Sequence, residues 1–244
     1  MKSGKIGTDP IFHNVKKRVC PYFFLFFALA VEAAPVRTPE VEAELVSSAV
    51  APGKPLTIAL RLKAAPGWHP YWRNPGDSGQ PTAIAWTLPA GYSAGPIQWP
   101  VPEKLPIGPL ANYGYEGEVL LLTDIAVPAS ATAPAKIAAH AKWLVCNPER
   151  CIPQEADLAL DPAASDWGRQ ISHARDGLPE AASGWTLKAS GVAGGVSLEM
   201  VPPKEFQAKT LQYFPYDEGV VQHAAAQPLE RSDAGLRLFI PVAA

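Results

Sequence analysis

The stretch KIAAHAKWLVCNPERCIPQEADLAL, residues 136–160, carries the pattern that decides the fold. Apolar side chains alternate with polar ones on both sides of a short polar break, which is typical of β-strands with one buried face. The alternating positions are Ile137, Ala139, Ala141, Trp143 and Val145, then Ala156, Leu158 and Leu160. The break, residues 147–150, suits a type I turn, because Asn147 favours its first position and Pro148 presets the second. The stretch therefore predicts a β-hairpin.

Cys146 and Cys151 flank this turn. At the ends of paired strands they would face each other with Cα atoms ~4.5–5.5 Å apart, a separation that a disulfide can bridge. Closing so short a loop stabilises a fold by only about 2 kcal/mol, and the hairpin already closes it. Lys142 and Arg150 would favour the thiolate form. From these residues alone the pair can be redox-active, a structural staple or a metal site, although zinc needs four ligands.

The same alternation recurs between Gly- and Pro-rich turns along the chain. The segments are LTIALRLK (56–63), AIAWTL (83–88) and EVLLLTDIAV (118–127). Strands at this spacing are typical of an antiparallel β-sandwich. We therefore predict an all-β domain over residues 36–162.

Residues 163–180 interrupt the strand pattern, and we expect a linker or a short helix there. Four apolar residues approximate helical spacing, with Asp161 or Ser165 as the expected cap. They are Trp167, Ile171, Ala174 and Leu178. Residues 181–244 alternate again and predict a second β-rich unit. It is shorter than the seven strands of a sandwich require, so we expect a truncated second sandwich.

The N-terminus predicts export. A basic edge at residues 16–18 precedes an apolar run from Tyr22 to Val31, which is shorter than a membrane span. We expect a signal peptide over residues 1–33, and the alternative is an uncleaved membrane anchor. Cleavage would remove Cys20 and leave Cys146 and Cys151 in an oxidising compartment, where cysteine pairs are normally disulfide-bonded.

Composition narrows the function classes. The net charge of −2 gives no sign of nucleic-acid binding or of attraction to an anionic membrane. The sequence shows no hydrolytic triad, phosphate-cradling glycine loop, paired-carboxylate motif or thioredoxin-type Cys-x-x-Cys. We therefore predict no cofactor and no metal site.

Two aromatic stretches accompany the cysteine hairpin. In PGWHPYWRNPGDSGQPT, residues 66–82, the aromatic side chains form either a core cluster or a docking surface for a partner. The docking candidates are Trp68, His69, Tyr71 and Trp72. In PIGPLANYGYEGEV, residues 106–119, a tyrosine could fold over the disulfide and shield it, or could simply pack at a hairpin edge. The shielding candidates are Tyr113, Tyr115 and Leu110.

Three stretches in this order, GWHPYWRNPGDSG, WPVPEKLPIGPLANYGYEGEVLL and WLVCNPERCIPQEADLAL, resemble a known family. It is the N-terminal periplasmic domain of DsbD-type thiol:disulfide interchange proteins. The likeness is greatest to the longer branch that includes the suppressor-of-copper-sensitivity protein ScsB. It covers residues 36–162 well and the remainder more loosely.

The resemblance implies an immunoglobulin-like β-sandwich with a redox-active disulfide formed by Cys146 and Cys151. It implies a periplasmic thiol:disulfide oxidoreductase module, with Cys151 attacking and Cys146 resolving. The implied partners are periplasmic thioredoxin-like proteins, with electrons supplied by DsbD-type transmembrane and C-terminal thioredoxin-like domains. Residues 110–115 match the family's cap loop, and Tyr113 is the expected capping ring.

The transmembrane and C-terminal domains of the family are absent from this sequence, so we expect either a fragment of a longer protein or a shortened relative. Two other functions remain open. One is a non-catalytic interaction module with a structural disulfide. The other is a Cu(I)-binding module that uses Cys146 and Cys151 with Met200 or His69, since soft ligands suit Cu(I).

Overall fold

Antiparallel strands account for most of the regular structure. The computed structural model describes residues 34–49, 55–131, 135–204, 206, 209–233 and 235–243. The strands are β1 (Val36–Arg37), β2 (Val41–Ser47), β3 (Leu56–Ala64), β4 (His69–Gly76), β5 (Ala83–Thr87), β6 (Ser93–Ala94), β7 (Glu103–Ile107), β8 (Leu110–Gly114), β9 (Glu118–Ala126), β10 (Ile137–Cys146), β11 (Cys151–Leu160), β12 (Thr186–Val192), β13 (Gly195–Val201), β14 (Leu229–Ser232) and β15 (Gly235–Pro241). One helix is described, α1 (Gly168–Asp176). The expected signal peptide, with Cys20, lies outside the described residues.

Two sheets form an immunoglobulin-like β-sandwich, as the sequence predicts. The first sheet has the order β1-β2-β3-β9-β6, and the second has the order β11-β10-β4-β8-β7. Strand β5 also pairs with β10, so β4 and β5 share one edge of that strand. All the recorded strand pairs are antiparallel.

The alternation predicted for the strands is confirmed by their burial. In β10 the side chains at 137, 139, 141, 143 and 145 are buried, whereas those at 138, 140, 142 and 144 are at least partly exposed. The buried sides of the two sheets share one apolar cluster. Its fully buried members include Ile58, Leu60, Leu62, Trp72, Tyr113, Leu121, Ile125, Ile137 and Val145. The hairpin of β10 and β11 is thereby fixed by its apolar face, because a slip of one residue would turn that face to solvent.

The outer face of the first sheet is also covered. Ile171 of α1 is buried against Val46, Ala59 and Leu122 from three neighbouring strands. The helix lies where the apolar spacing predicts one, but the expected caps are wrong. The N-cap residue is Trp167 and no side chain caps it. The hydroxyl of Ser165 instead accepts from the backbone N–H of Ser47 at 2.8 Å and donates to its carbonyl at 3.0 Å, so it pins the segment before the helix to β2.

Arg61 is a charged residue on the covered outer face of the first sheet. The side chain points to the outer face of β3, as the alternation predicts, yet the residue is only 7% exposed. Its guanidinium lies 2.7 Å from a carboxylate oxygen of Glu42 and 2.6 Å from one of Glu118. The indole ring of Trp167 stacks beside it at 5.3 Å. An arginine is tolerated in this place because both its charge and its planar face have partners.

A third sheet follows the helix and belongs to the same compact unit as the sandwich. Its strand order is β12-β13-β15-β14, and a second apolar cluster packs on it around Leu238 and Ile240. The connection between β13 and β14 returns to the sandwich. There the amide of Asn74 donates to the carbonyls of Pro215 and Asp217, each at 2.9 Å.

Within the described ranges, no helix combines the length and the apolar character that crossing a bilayer requires.

Replacing Ile171 with alanine should show how much the helix contributes. We expect the free energy of unfolding to fall by about 2–4 kcal/mol, because the substitution leaves a cavity between α1 and the first sheet. Urea unfolding followed by circular dichroism measures the change. The matched control is Ser172→Ala, an exposed neighbour that should change the value by less than about 0.5 kcal/mol. Equal values for the two variants would mean that the helix does not hold the sheet's outer face.

Candidate functional site

The disulfide lies at the turn end of the hairpin. Strands β10 and β11 pair over ten residues, from Ile137 opposite Leu160 to Cys146 opposite Cys151, which confirms the predicted register. The two cysteines are disulfide-bonded, with Cα atoms 4.1 Å apart. The turn has the expected chemistry, because Oδ1 of Asn147 accepts from the backbone N–H groups of Glu149 and Arg150 at 2.9 and 2.8 Å. The bond therefore joins residues that the sheet already holds together.

The two cysteines differ in exposure. Cys146 is 1% exposed, since β10 has a strand on each side, whereas Cys151 begins the edge strand β11 and is exposed. Both side chains point to the outer face of the second sheet, because the neighbouring Val145 points to the core. Cys151 is therefore the more solvent-accessible cysteine of the pair.

Strand β4 provides the inner neighbours of the disulfide. His69 lies directly opposite Cys146 in the antiparallel pairing of β4 and β10. The hydroxyl of Tyr71 lies 3.9 Å from the sulfur of Cys151. A disulfide sulfur carries no proton, so the tyrosine is the donor in this contact. The rings of His69 and Tyr71 meet edge to face at 5.2 Å, and of the two it is Tyr71 that contacts the disulfide.

Tyr71 is held in place by residues that sequence reasoning missed. The amide of Asn112 on β8 donates to the tyrosine hydroxyl at 3.1 Å, and the carbonyl oxygen of that amide accepts from the backbone N–H and the hydroxyl of Ser78. Gly79 lies against the ring, with φ at +116°, and any side chain there would overlap the ring. The only sequence signal was the turn motif NPGDSG, which indicates a loop but not what the loop touches.

Burial shifts the pKa values of both rings. Desolvation raises the pKa of Tyr71, and its hydrogen bonds to Asn112 and Ser78 oppose the rise. Desolvation lowers the pKa of His69, and the nearby carboxylate of Glu116 opposes the fall. Both groups are therefore neutral near pH 7. The Nε2 atom of His69 is buried and has no hydrogen-bond partner among the described residues.

The shielding candidates lie elsewhere around β8. Tyr113 is fully buried and faces the core side, opposite to its neighbour Asn112, and packs against Trp72 and Phe214. Burial raises its pKa to about 12, with the charge of Asp77 adding to the rise. Tyr115 donates to the carbonyl of Pro100 at 2.9 Å, and Leu110 is exposed. The structure brings Tyr71 to the disulfide, and shielding by Tyr113, Tyr115 and Leu110 stays a prediction.

The four docking candidates differ in how much of each side chain is exposed. His69, Tyr71 and Trp72 are buried, and Trp72 belongs to the core cluster. Trp68 is half-buried, and the guanidinium of Arg150 stacks over its ring at 5.4 Å. Because Arg150 immediately precedes Cys151, this stacked pair and the exposed cysteine share one rim. Docking through these residues stays a prediction. Of the four, only Trp68 has solvent-accessible surface of any size.

The two cations expected to favour the thiolate have other partners. Lys142 lies four residues from Cys146 along β10, or about 13 Å, and its ammonium group pairs with Glu155 at 3.3 Å. Arg150 extends toward Glu40 at 4.0 Å in addition to stacking on Trp68.

Of the ligands considered for Cu(I), His69 lies opposite Cys146, whereas Met200 lies apart from the cysteines. Met200 lies in the cluster of the third sheet, with Leu236 and Leu238. In the described part of the chain, no group of three or more His, Cys, Asp or Glu side chains is arranged to hold a metal ion.

Comparisons with known proteins agree with this architecture. A family model described as "Thiol:disulfide interchange protein DsbD, N-terminal" matches residues 37–163. Among solved structures, the N-terminal periplasmic domain of ScsB from Proteus mirabilis is similar, with a TM-score of 0.66 and 19% identity. The match covers 86% of this chain and 84% of that one, and at this identity it shows the fold alone. No curated protein matches.

Reducing the disulfide should cost little stability. We expect the free energy of unfolding to fall by about 2 kcal/mol or less, because the bond closes a loop of six residues that the strand pairing already closes. Urea unfolding with and without reductant measures this, with Cys20→Ser in every protein so that no other thiol contributes. A variant with both Cys146→Ser and Cys151→Ser is the control and should not respond to reductant. A loss of about 4 kcal/mol or more would show that the bond holds the fold.

Proposed function

The chain belongs to the family of the N-terminal domain of the thiol:disulfide interchange protein DsbD, and from this premise we propose that it passes reducing equivalents to partner proteins through Cys146 and Cys151. The observation that carries the proposal is the asymmetry of the pair: Cys151 is exposed on an edge strand and Cys146 is 1% exposed beside it. One sulfur is open to a partner, and the other is kept for the intramolecular step.

The exchange proceeds in two displacements. In the reduced chain, the thiolate of Cys151 attacks a partner's disulfide, forms a mixed disulfide and releases one partner sulfur as a thiolate. Cys146 then attacks the sulfur of Cys151, and the second partner sulfur leaves with its electron pair. The partner gains two electrons, and the Cys146–Cys151 bond is restored. The reverse sequence reduces the pair when an electron donor attacks Cys151.

The partners are thioredoxin-like proteins in the periplasm. The similar structure from Proteus mirabilis is described as a periplasmic domain, and an oxidising compartment suits a chain whose cysteines are bonded. A DsbD-type transmembrane domain and its C-terminal thioredoxin-like domain supply the electrons. The rim formed by Trp68, Arg150 and Cys151 is the docking surface, because it is where the reactive sulfur and an accessible aromatic ring lie together.

The reduction potential separates this function from a structural bond. We expect a value between about −180 and −270 mV, the range of exchange-active pairs. The protein is equilibrated in thiol redox buffers and alkylated, and the reduced fraction is measured by mass, with Cys20→Ser in place. A value below about −300 mV would mark a structural bond, and the chain would then be a non-catalytic interaction module.

Single-cysteine variants test which sulfur meets the partner. We expect Cys146→Ser, which keeps the exposed Cys151, to form a mixed disulfide with an activated thioredoxin-like domain at least tenfold faster than Cys151→Ser does. The reason is that burial both hides the Cys146 sulfur and disfavours its thiolate. Non-reducing electrophoresis and intact mass follow the adduct. Equal rates, or faster trapping by Cys151→Ser, would contradict the assignment.

A further inference from the structure

His69 occupies a defined place relative to the buried cysteine. The register of β4 and β10 sets it directly opposite Cys146, so both side chains extend from the same face of the second sheet. Directly opposed residues in an antiparallel pair have Cβ atoms about 4.5–5.5 Å apart. At this spacing, a change of the His69 rotamer toward β10 would bring an imidazole nitrogen close to the Cys146 sulfur.

The imidazole has unused hydrogen-bonding capacity. His69 is 5% exposed, and within the described part of the chain its buried Nε2 atom has no hydrogen-bond partner. Buried polar atoms in native proteins are nearly always hydrogen-bonded, so an exception needs a reason. One such reason is that the nitrogen binds a proton at only one stage of a reaction.

The surroundings favour the neutral ring. The titratable groups that the described residues place around it are Tyr71 on its own strand, Cys146 on β10, Cys151 on β11 and Glu116 after β8. Both cysteines are bonded, and Tyr71 is neutral. Burial lowers the pKa of His69 more than Glu116 raises it. A neutral imidazole can accept a proton.

Cys146 needs a proton acceptor before it can act in the second displacement. The thiolate, not the thiol, is the nucleophile in disulfide exchange. After Cys151 has joined a partner, Cys146 must lose its proton in a site that is almost inaccessible to water. Burial of an unpaired charge raises the pKa of a thiol, and Lys142 and Arg150 are paired with other groups.

We propose that His69 accepts the proton of Cys146 in the step that releases the partner. This rests on the proposed function and specifies its second displacement. The Cys146 proton moves to an imidazole nitrogen, and the sulfur's electron pair forms the bond to Cys151. The bond between Cys151 and the partner breaks, and the partner sulfur leaves as a thiolate. The imidazolium then returns its proton to that thiolate or to water, so His69 ends neutral.

A chromogenic disulfide isolates this step. The reduced chain, with Cys20→Ser, is mixed with one equivalent of 5,5′-dithiobis(2-nitrobenzoate), and release of the coloured thiolate is followed by stopped flow. The first equivalent reports attack by Cys151, and the second reports attack by Cys146 on the mixed disulfide. Cys146→Ser, which should release only the first equivalent, assigns the two phases.

His69→Gln and His69→Asn are compared with the parent chain from pH 6 to 10. We expect the second phase to slow at least tenfold at pH 7 while the first phase stays unchanged. The deficit should shrink as pH rises toward 10, because hydroxide then takes the Cys146 proton without help from the imidazole. The matched control is His140→Gln, which removes an imidazole on the outer face of β10 that is bonded to Asp157 and should change neither phase.

Three results would overturn the proposal. They are an unchanged second phase in both His69 variants, an equal slowing of both phases, and a deficit that does not vary with pH, since the last two indicate a structural effect. Failure of the proposed function looks different. In that case the parent chain itself shows a structural reduction potential or no exchange with thioredoxin-like domains, whatever residue stands at position 69.

Discussion

The register of β10 is the constraint on which the rest of the site depends. One strand fixes Cys146 opposite Cys151 on one side and opposite His69 on the other. Its alternate side chains are buried in the core, so a slip of one residue would exchange the two faces and move the cysteine inward. The hydrophobic effect that folds the sandwich therefore also positions the sulfur atoms. No separate device is needed to bring the pair together.

The sequence predicts this local geometry well because the hairpin depends on residues that are close together in the chain. Alternation gives the strands and their buried faces, and Asn147 and Pro148 give the turn. What it does not predict comes from residues far apart in the chain. Tyr71 reaches Cys151 across eighty positions, and the buried Arg61 stacks with the ring of Trp167, more than a hundred residues later. The expected helix caps were wrong because Ser165 has a better partner in the backbone of Ser47.

Strand β8 connects the disulfide to the C-terminal part of the chain. On its outer face, Asn112 holds the hydroxyl of Tyr71. On its core face, Tyr113 shares a hydrogen bond of 3.2 Å with His223 and packs against Phe214. Consecutive residues of one short strand thus contact Tyr71, which lies beside Cys151, and the connection between β13 and β14. Shielding of the disulfide by a ring from this strand stays a prediction, and what β8 provides near the disulfide is the amide that supports Tyr71 of β4.

The position of the cysteines at the end of an intact ladder has a consequence for turnover. Their Cα atoms lie 4.1 Å apart within paired strands whose backbone hydrogen bonds do not involve sulfur. Making or breaking the bond therefore leaves the backbone outline of the hairpin nearly unchanged. Under the proposed function, a partner would therefore meet almost the same hairpin outline in both redox states, and shape alone would give it little reason to prefer one. The direction of electron flow would then follow the reduction potentials of the two proteins, so exchange could run either way.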